Sequence, residues 1–322
     1  MTPSAGRPLL GVACAVAASL LFGLNGTVSK LALSSGLSSL RLVEIRSAGA
    51  AVCLVMVCLL LRPRALKVGR RELGFLLLAG VVGIGLVQWF YFVAIARLPV
   101  GIALLLEYLA PVLVALWVRF VRGEQVRSRV WAALALCVVG LAVVAQVWRG
   151  LTLDGLGVLA GLAAAVSLAA YYLTGERGLA DRDALTLAAW TFTAAAVFWS
   201  VLQPWWTYPW GALGEPVDLP GPLAGTAVPL WMLVAWVVVL GTVVPYGLIL
   251  GALRQLGSAR TGLLGMAEPV LAGMVAWVVL SESLAPVQLA GGAVVLAGIV
   301  LAETSRRRTT GAEGQLPEGV VP

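Results

Sequence analysis

Residues 101–124 read GIALLLEYLAPVLVALWVRFVRGE. The run is apolar and long enough to cross a bilayer as a helix, which takes about 20 residues. A carboxylate, Glu107, and a proline, Pro111, lie inside it. The pattern returns at 259–282 as ARTGLLGMAEPVLAGMVAWVVLSE. Laying Pro111 on Pro269 is a shift of 158 residues, and it also brings Leu105-Leu106 onto Leu263-Leu264 and Glu124 onto Glu282. Carried outward without a gap, the same shift places Ala94 on Ala252, Leu98 on Leu256 and Gly140 on Gly298. A duplicated, lipid-compatible segment with an acid buried in each copy organises the rest of the chain.

The surroundings have the same character. Of 322 residues, 61% are hydrophobic and 11% charged, with a mean hydropathy of +0.98. Soluble proteins carry about 25% charged residues, so this surface is built for lipid. Ten apolar spans are expected, at 9–31, 40–61, 73–96, 99–121, 130–148, 155–175, 184–203, 228–253, 259–280 and 286–303. Runs of this length are helices, since a barrel strand needs only ~10 alternating residues. The first span is too long for a cleaved signal segment and reads as a retained helix. The fold class is thus all-α and polytopic.

Spans 1–5 and 6–10 form two halves, 1–150 and 151–304, followed by a basic, then polar tail at 305–322 that is expected to be disordered. Gly11-Val12 matches Gly157-Val158, and Ala17-Ala18 matches Ala163-Ala164, at a shift of 146 residues. The difference from 158 marks an insertion, placed in the loop at 204–227. Because five is odd, the second half must enter the membrane from the opposite side. That makes an inverted repeat, an architecture that puts a binding site near mid-membrane. Seventeen basic residues fall on the side of the amino terminus, against Lys30, Arg41, Arg97 and Arg149 on the other. The positive-inside rule then places both termini in the cytoplasm of a bacterial-type inner membrane.

Several chemistries are excluded. Histidine is absent, which removes imidazole triads, HExxH zinc sites and CxxCH haem attachment. Neither lysine, Lys30 or Lys67, lies in a phosphate-binding GxxxxGK[ST] loop. Cys14, Cys53, Cys58 and Cys137 sit in apolar spans without metal spacing. No metal, organic cofactor or nucleic-acid partner is expected. A lipid-directed membrane enzyme would need clustered acids, His or Lys at one face, and none is found. A receptor or assembly factor would show no substrate-dependent flux.

Ionisable groups inside spans are expensive and are candidates for function. Glu107 stands four residues before Pro111, and proline removes the hydrogen bond to the carbonyl at i−4. Glu107 therefore offers a carboxyl and a free backbone oxygen at one turn, suited to a substrate amine or a proton. Glu268 immediately precedes Pro269, three residues out of register with Glu107 and nearly one helical turn away. Arg46, in span 2, is a permanent charge that needs a partner, and Glu44, two residues away, points elsewhere on a helix. It suits a substrate carboxylate or an ion pair with another helix. Asn25, Gln88, Trp89, Tyr91, Tyr108, Tyr171, Tyr172, Trp190 and Tyr246 are candidates to line the pocket. Pro111 and Pro269 read as structural, and Glu124 and Glu282 as caps for the positive end of the helix after each.

This pattern resembles the EamA family of the drug/metabolite transporter superfamily, over about 9–303. The resemblance rests on ten spans in two halves, a proline in the fourth span of each, and a Glu closing that span. ALLLEYLAPVLVAL at 103–116 looks like the branch of amino-acid exporters handling threonine and homoserine, with Glu107 four residues before the proline. Arg46 falls where the family often has an arginine. The departure is Ser281, where a glycine usually precedes the closing Glu. The resemblance implies secondary transport, commonly export of amino acids, related metabolites or drugs, with the site between the halves; the two buried carboxyls, Glu107 and Glu268, separately point to proton coupling. The rival substrate class is a multidrug or hydrophobic-metabolite cargo, which the aromatic content favours.

Overall fold

The computed structural model describes residues 8–123, 128–144, 153–265 and 267–310. It is an all-α polytopic membrane protein. Among the described residues, seven helical stretches are long and apolar enough to span a bilayer, and Trp131–Val144, Glu268–Leu280 and Pro286–Leu301 are shorter apolar helices.

In the amino-terminal half, α1 (Pro8–Ser34) and α2 (Ser39–Leu61) are joined by a turn with Gly36 at a φ of 95°. Ser38 caps α2 through the Arg41 N–H. The third span is α3 (Arg70–Gly80), a π-helical stretch at Val81–Leu86, and α4 (Val87–Ile95). Pro99 then opens α5 (Val100–Glu107), which stops at Tyr108-Leu109 before α6 (Ala110–Phe120) and α7 (Ser128–Val144).

In the carboxy-terminal half, α8 (Gly155–Asp181) leads to α9 (Ala184–Leu202), capped by Asp183. Next come α10 (Leu230–Val238), a second π-helical stretch at Val239–Val243, and α11 (Val244–Gly265). Then come α12 (Glu268–Leu280) and α13 (Pro286–Thr310).

Four features differ from the sequence expectation. The expected continuous spans holding Pro111 and Pro269 are each broken just before the proline. Each proline falls in the first turn of a new helix, where the missing N–H removes no bond. At 254–258, where a break is expected, helical backbone continues to Gly265 even though the chain turns back along α1 there. Pro99 interrupts the first copy, while the second has Gly257 at that place, which keeps its N–H. The loop at 204–227 holds short 3₁₀ turns and feeds an antiparallel ribbon, β1 (Pro216–Asp218) with β2 (Ala227–Pro229), Val217 opposite Val228. Finally, α13 reaches Thr310, so the start of the expected disordered tail is helical. Its run Glu303 to Arg308 lacks Gly and Pro and sets arginines near the negative helix end.

The halves are interleaved. Along α1, Gly11 meets Leu256, Cys14 meets Gly251, and Asn25 meets Gly241. The chain is then back at Ser19 by Leu264, whose carbonyl accepts from the Ser19 hydroxyl, and at Gly23 by Ala272. It therefore reverses direction between Leu256 and Leu264. In the other half, α8 lies in the same way on α4, α5 and α6. The contacts match residue for residue. A Cβ added at Gly11 would lie 2.7 Å from the Leu256 side chain, and one at Gly157 would lie 2.7 Å from Leu98. Gly241 faces Asn25 as Gly83 faces Tyr171, and Gly140 faces Val295 as Gly298 faces Cys137. The shifts of 146 and 158 carry each pair onto its counterpart.

Candidate functional site

A cavity of about 170 Å³ lies where the two halves meet. The helix breaks make it. Glu107 is the last residue of α5 and Glu268 the first of α12, so both acids stand where a span is interrupted. Tyr108, in the first break, donates its hydroxyl to Glu268 Oε2 at 2.7 Å and joins one half to the other. Among the described residues, Glu107 Oε2 is buried without a hydrogen-bond partner. At the end of α5 its charge adds to the negative pole of that short helix, which makes this corner attractive to a cation.

Arg46 faces this corner from α2. It is 6% exposed, and its Nε donates to the Thr242 hydroxyl at 2.8 Å. Its guanidinium stands 5.4 Å from the centre of the Phe92 ring. Thr242 belongs to the π-helical stretch Val239–Val243, so a widened helix turn supplies the group that orients the arginine. The partner question raised by the sequence resolves locally: Glu44 pairs with Arg41 at 2.8 Å. Arg46, Glu107 and Glu268 line the same cavity, and among the described residues no hydrogen bond or ion pair joins the arginine to either acid. One cation and two acids thus share one small hollow.

Asn25, Gln88, Tyr91, Tyr171, Tyr172 and Tyr246 complete the polar lining. Tyr246 is held edge-on by Phe22 and Phe192, with centroids 5.8 and 5.4 Å away. Trp89 and Trp190 do not line the cavity. Trp89 packs on Phe90 and Trp199 within the core. Apolar lining residues that sequence reasoning missed are Phe22, Ile84, Val87, Leu104 and Leu168. In a chain this hydrophobic they carry no signal apart from lipid-facing neighbours. Gly83, also in the lining, packs against Tyr171 and so serves both helix contact and the cavity wall.

The expected caps turn out differently. Glu124 lies outside the described residues. Glu282 does not cap the helix that follows it; its Oε2 accepts from the Val100 N–H at 2.9 Å, at the start of α5 in the other half. Its Oε1 pairs with Lys30 Nζ at 2.5 Å. The left-handed turn at Ser281 (φ 56°) swings Glu282 back toward α5.

Known proteins share this organisation. The model of the EamA-like transporter family matches twice, over residues 9–146 and 155–304. The threonine/homoserine exporter RhtA of Escherichia coli K12 is 30% identical over 250 residues, 77% of each chain. An uncharacterized transporter of Archaeoglobus fulgidus is 27% identical, over 87% of this chain and 92% of its own. The pseudopaline exporter CntI of Pseudomonas aeruginosa is 28% identical, over 63% and 72%. A crystal structure superposes with a TM-score of 0.57 at 21% identity, covering 93% of this chain and 98% of the other, and shares the fold. With its buried charges gathered at two helix breaks and both halves matched, the chain belongs to the EamA-like transporter family.

Proposed function

We propose that the protein exports a small amino acid from the cytoplasm, holding it as a zwitterion in the central cavity. The observation that carries this reading is the opposition of Arg46 to Glu107 and Glu268 across one hollow. A guanidinium suits a carboxylate, and two acid groups with a tyrosine hydroxyl suit an ammonium. The volume sharpens the choice. Pockets for drug-sized ligands run to about 300–1,000 Å³, so about 170 Å³ favours a small metabolite over a bulky drug. The exporter names of RhtA and CntI support the direction.

In this reading the chain crosses the membrane ten times as two inverted five-helix repeats, with both termini in the cytoplasm. The contact pairs that recur at 146 and 158 residues support it. The halves rock about the cavity so that it opens to one side at a time. Glu107 and Glu268 accept either the substrate ammonium or a proton, which would couple export to proton entry.

Counterflow of radiolabelled L-threonine in proteoliposomes, with and without a pH gradient, tests the assignment. Arg46→Gln is expected to raise KM about 10- to 100-fold, the loss of a charge-assisted bond. Unchanged transport by Arg46→Gln sinks the zwitterion reading. Glu107→Gln with unaltered rate and pH dependence removes Glu107 as the coupling group.

A further inference from the structure

Helix α5 is short, almost wholly buried, and tied at both ends to the half of the molecule to which it does not belong. Its residues Val100 to Leu106 are between 0% and 7% exposed. At its start, the Val100 N–H donates to Glu282 Oε2 at 2.9 Å. Just before it, the Leu98 carbonyl accepts from Lys30 Nζ at 2.7 Å, and the same ammonium meets Glu282 Oε1. Eight residues on, about 12 Å away, Glu107 enters the cavity and Tyr108 bonds Glu268. Between the ends, α5 lies on α12 through Gly101 against Gly273, a contact of two residues without side chains. Small residues of this kind let two helix backbones approach closely.

The cluster is polar on one side only of the sequence repeat. The shift of 146 carries Lys30 to Glu176, and 158 carries Glu282 back to Glu124. An acid stands in the sequence where the lysine would be, so the lysine–glutamate combination is not repeated. Lys30 and Glu282 retain 24% and 16% side-chain exposure, so water reaches them when the contact loosens.

We propose that Glu282 is a positioning residue for transport: acting through α5 as a strut, it holds Glu107 and Tyr108 in the cavity, and its parting from Lys30 and Val100 opens the cavity toward the end of the molecule that carries the β ribbon. The inference rests on the central cavity being the transport site, but not on which amino acid occupies it. With the pair closed, that end is shut and the site loads from the opposite end. When the substrate ammonium draws Glu107 or displaces the Tyr108–Glu268 bond, α5 shifts and the pair at its far end separates.

The test is thiol accessibility, which needs no substrate. In the full chain with its four cysteines replaced, Val87→Cys puts a thiol in the cavity wall. A membrane-impermeant maleimide is added to each side in turn. Glu282→Ala and Lys30→Gln are expected to speed labelling from the ribbon side about tenfold, the loss of one charge-assisted contact. Lys30→Arg, which keeps the charge, is expected to label at the parental rate. L-Threonine serves as transport probe, and Glu282→Ala is expected to raise its KM more than it lowers the maximal rate.

Parental labelling rates in both Glu282→Ala and Lys30→Gln overturn the proposal. If Glu282→Ala does not fold, an unchanged rate in Lys30→Gln overturns it alone. If labelling responds as expected but no form of the protein transports threonine, the strut stands and the amino-acid reading falls.

Discussion

Ser281 holds the one left-handed backbone conformation of a residue other than glycine among the described residues, with φ 56° and ψ 27°. Its counterpart at a shift of 158 is Gly123, at φ 70°. Both end the helix that follows a break, and both turn the chain toward the closing Glu. Only glycine takes this conformation freely, because a Cβ crowds the backbone there. Among the described residues, the Ser281 hydroxyl makes no hydrogen bond that would offset the strain. Ser281→Gly is therefore expected to stabilise the protein by about 1 kcal/mol, read as a higher thermal unfolding midpoint in detergent with transport retained. No change in midpoint would mean that the turn is relaxed by its neighbours. The sequence flagged this position as a departure from the family pattern, yet its purpose is visible only in three dimensions, where it aims Glu282 at Val100.

At the scale of elements, glycines set how closely the helices approach. A Cβ at Gly140 would sit 2.8 Å from the Gly291 carbonyl and 2.7 Å from Val295, and one at Gly298 would sit 2.9 Å from the Ala133 carbonyl. Backbone cannot step aside as a side chain can, so α7 and α13 would have to separate. Gly140→Ala and Gly298→Ala are each expected to destabilise by about 1–3 kcal/mol, and by similar amounts because the two contacts match. Gly74, in α3, has open space around it, and Gly74→Ala is expected to be neutral or mildly stabilising. Thermal unfolding of the three variants side by side checks the set; equal loss in all three would remove the packing explanation. Most spans and the duplication were legible in sequence because hydropathy and the two prolines mark them strongly. The helix breaks at Tyr108 and Ala267 were not. Proline at the second position of a helix and proline inside one look the same until the hydrogen bonds are seen. The cavity was half legible. Buried Arg46, Glu107 and Glu268 are conspicuous because charge is rare at that depth, whereas Trp89 and Trp190 look the same whether they line a pocket or fill a core.

For the whole molecule, neither half keeps its own interior. The first helix of each half packs on the other half: α1 against α10, α11 and α12, and α8 against α4, α5 and α6. The last helices, α7 and α13, pair across the divide through Gly140 and Gly298. Arg46 is oriented by Thr242, and Tyr108 by Glu268, so the cavity also draws each wall from both halves. Residues 1–150 expressed alone would leave the glycine-lined faces of α1 and α7 without partners. In a bilayer such faces gain little from lipid and depend on close helix contact. The halves 1–150 and 151–322 are therefore expected to be degraded or aggregated singly, and to co-purify and transport when expressed together. Cysteines replacing Gly11 and Leu256, and separately Gly157 and Leu98, are expected to cross-link between the two fragments in the reassembled complex. Interleaving demands both cross-links, since each joins residues that no independent five-helix bundle brings together. A half that is monodisperse by itself, or one cross-link formed without the other, would mean that the two units fold separately and merely adjoin, and the cavity between them would then lose the shared wall on which its charge arrangement depends.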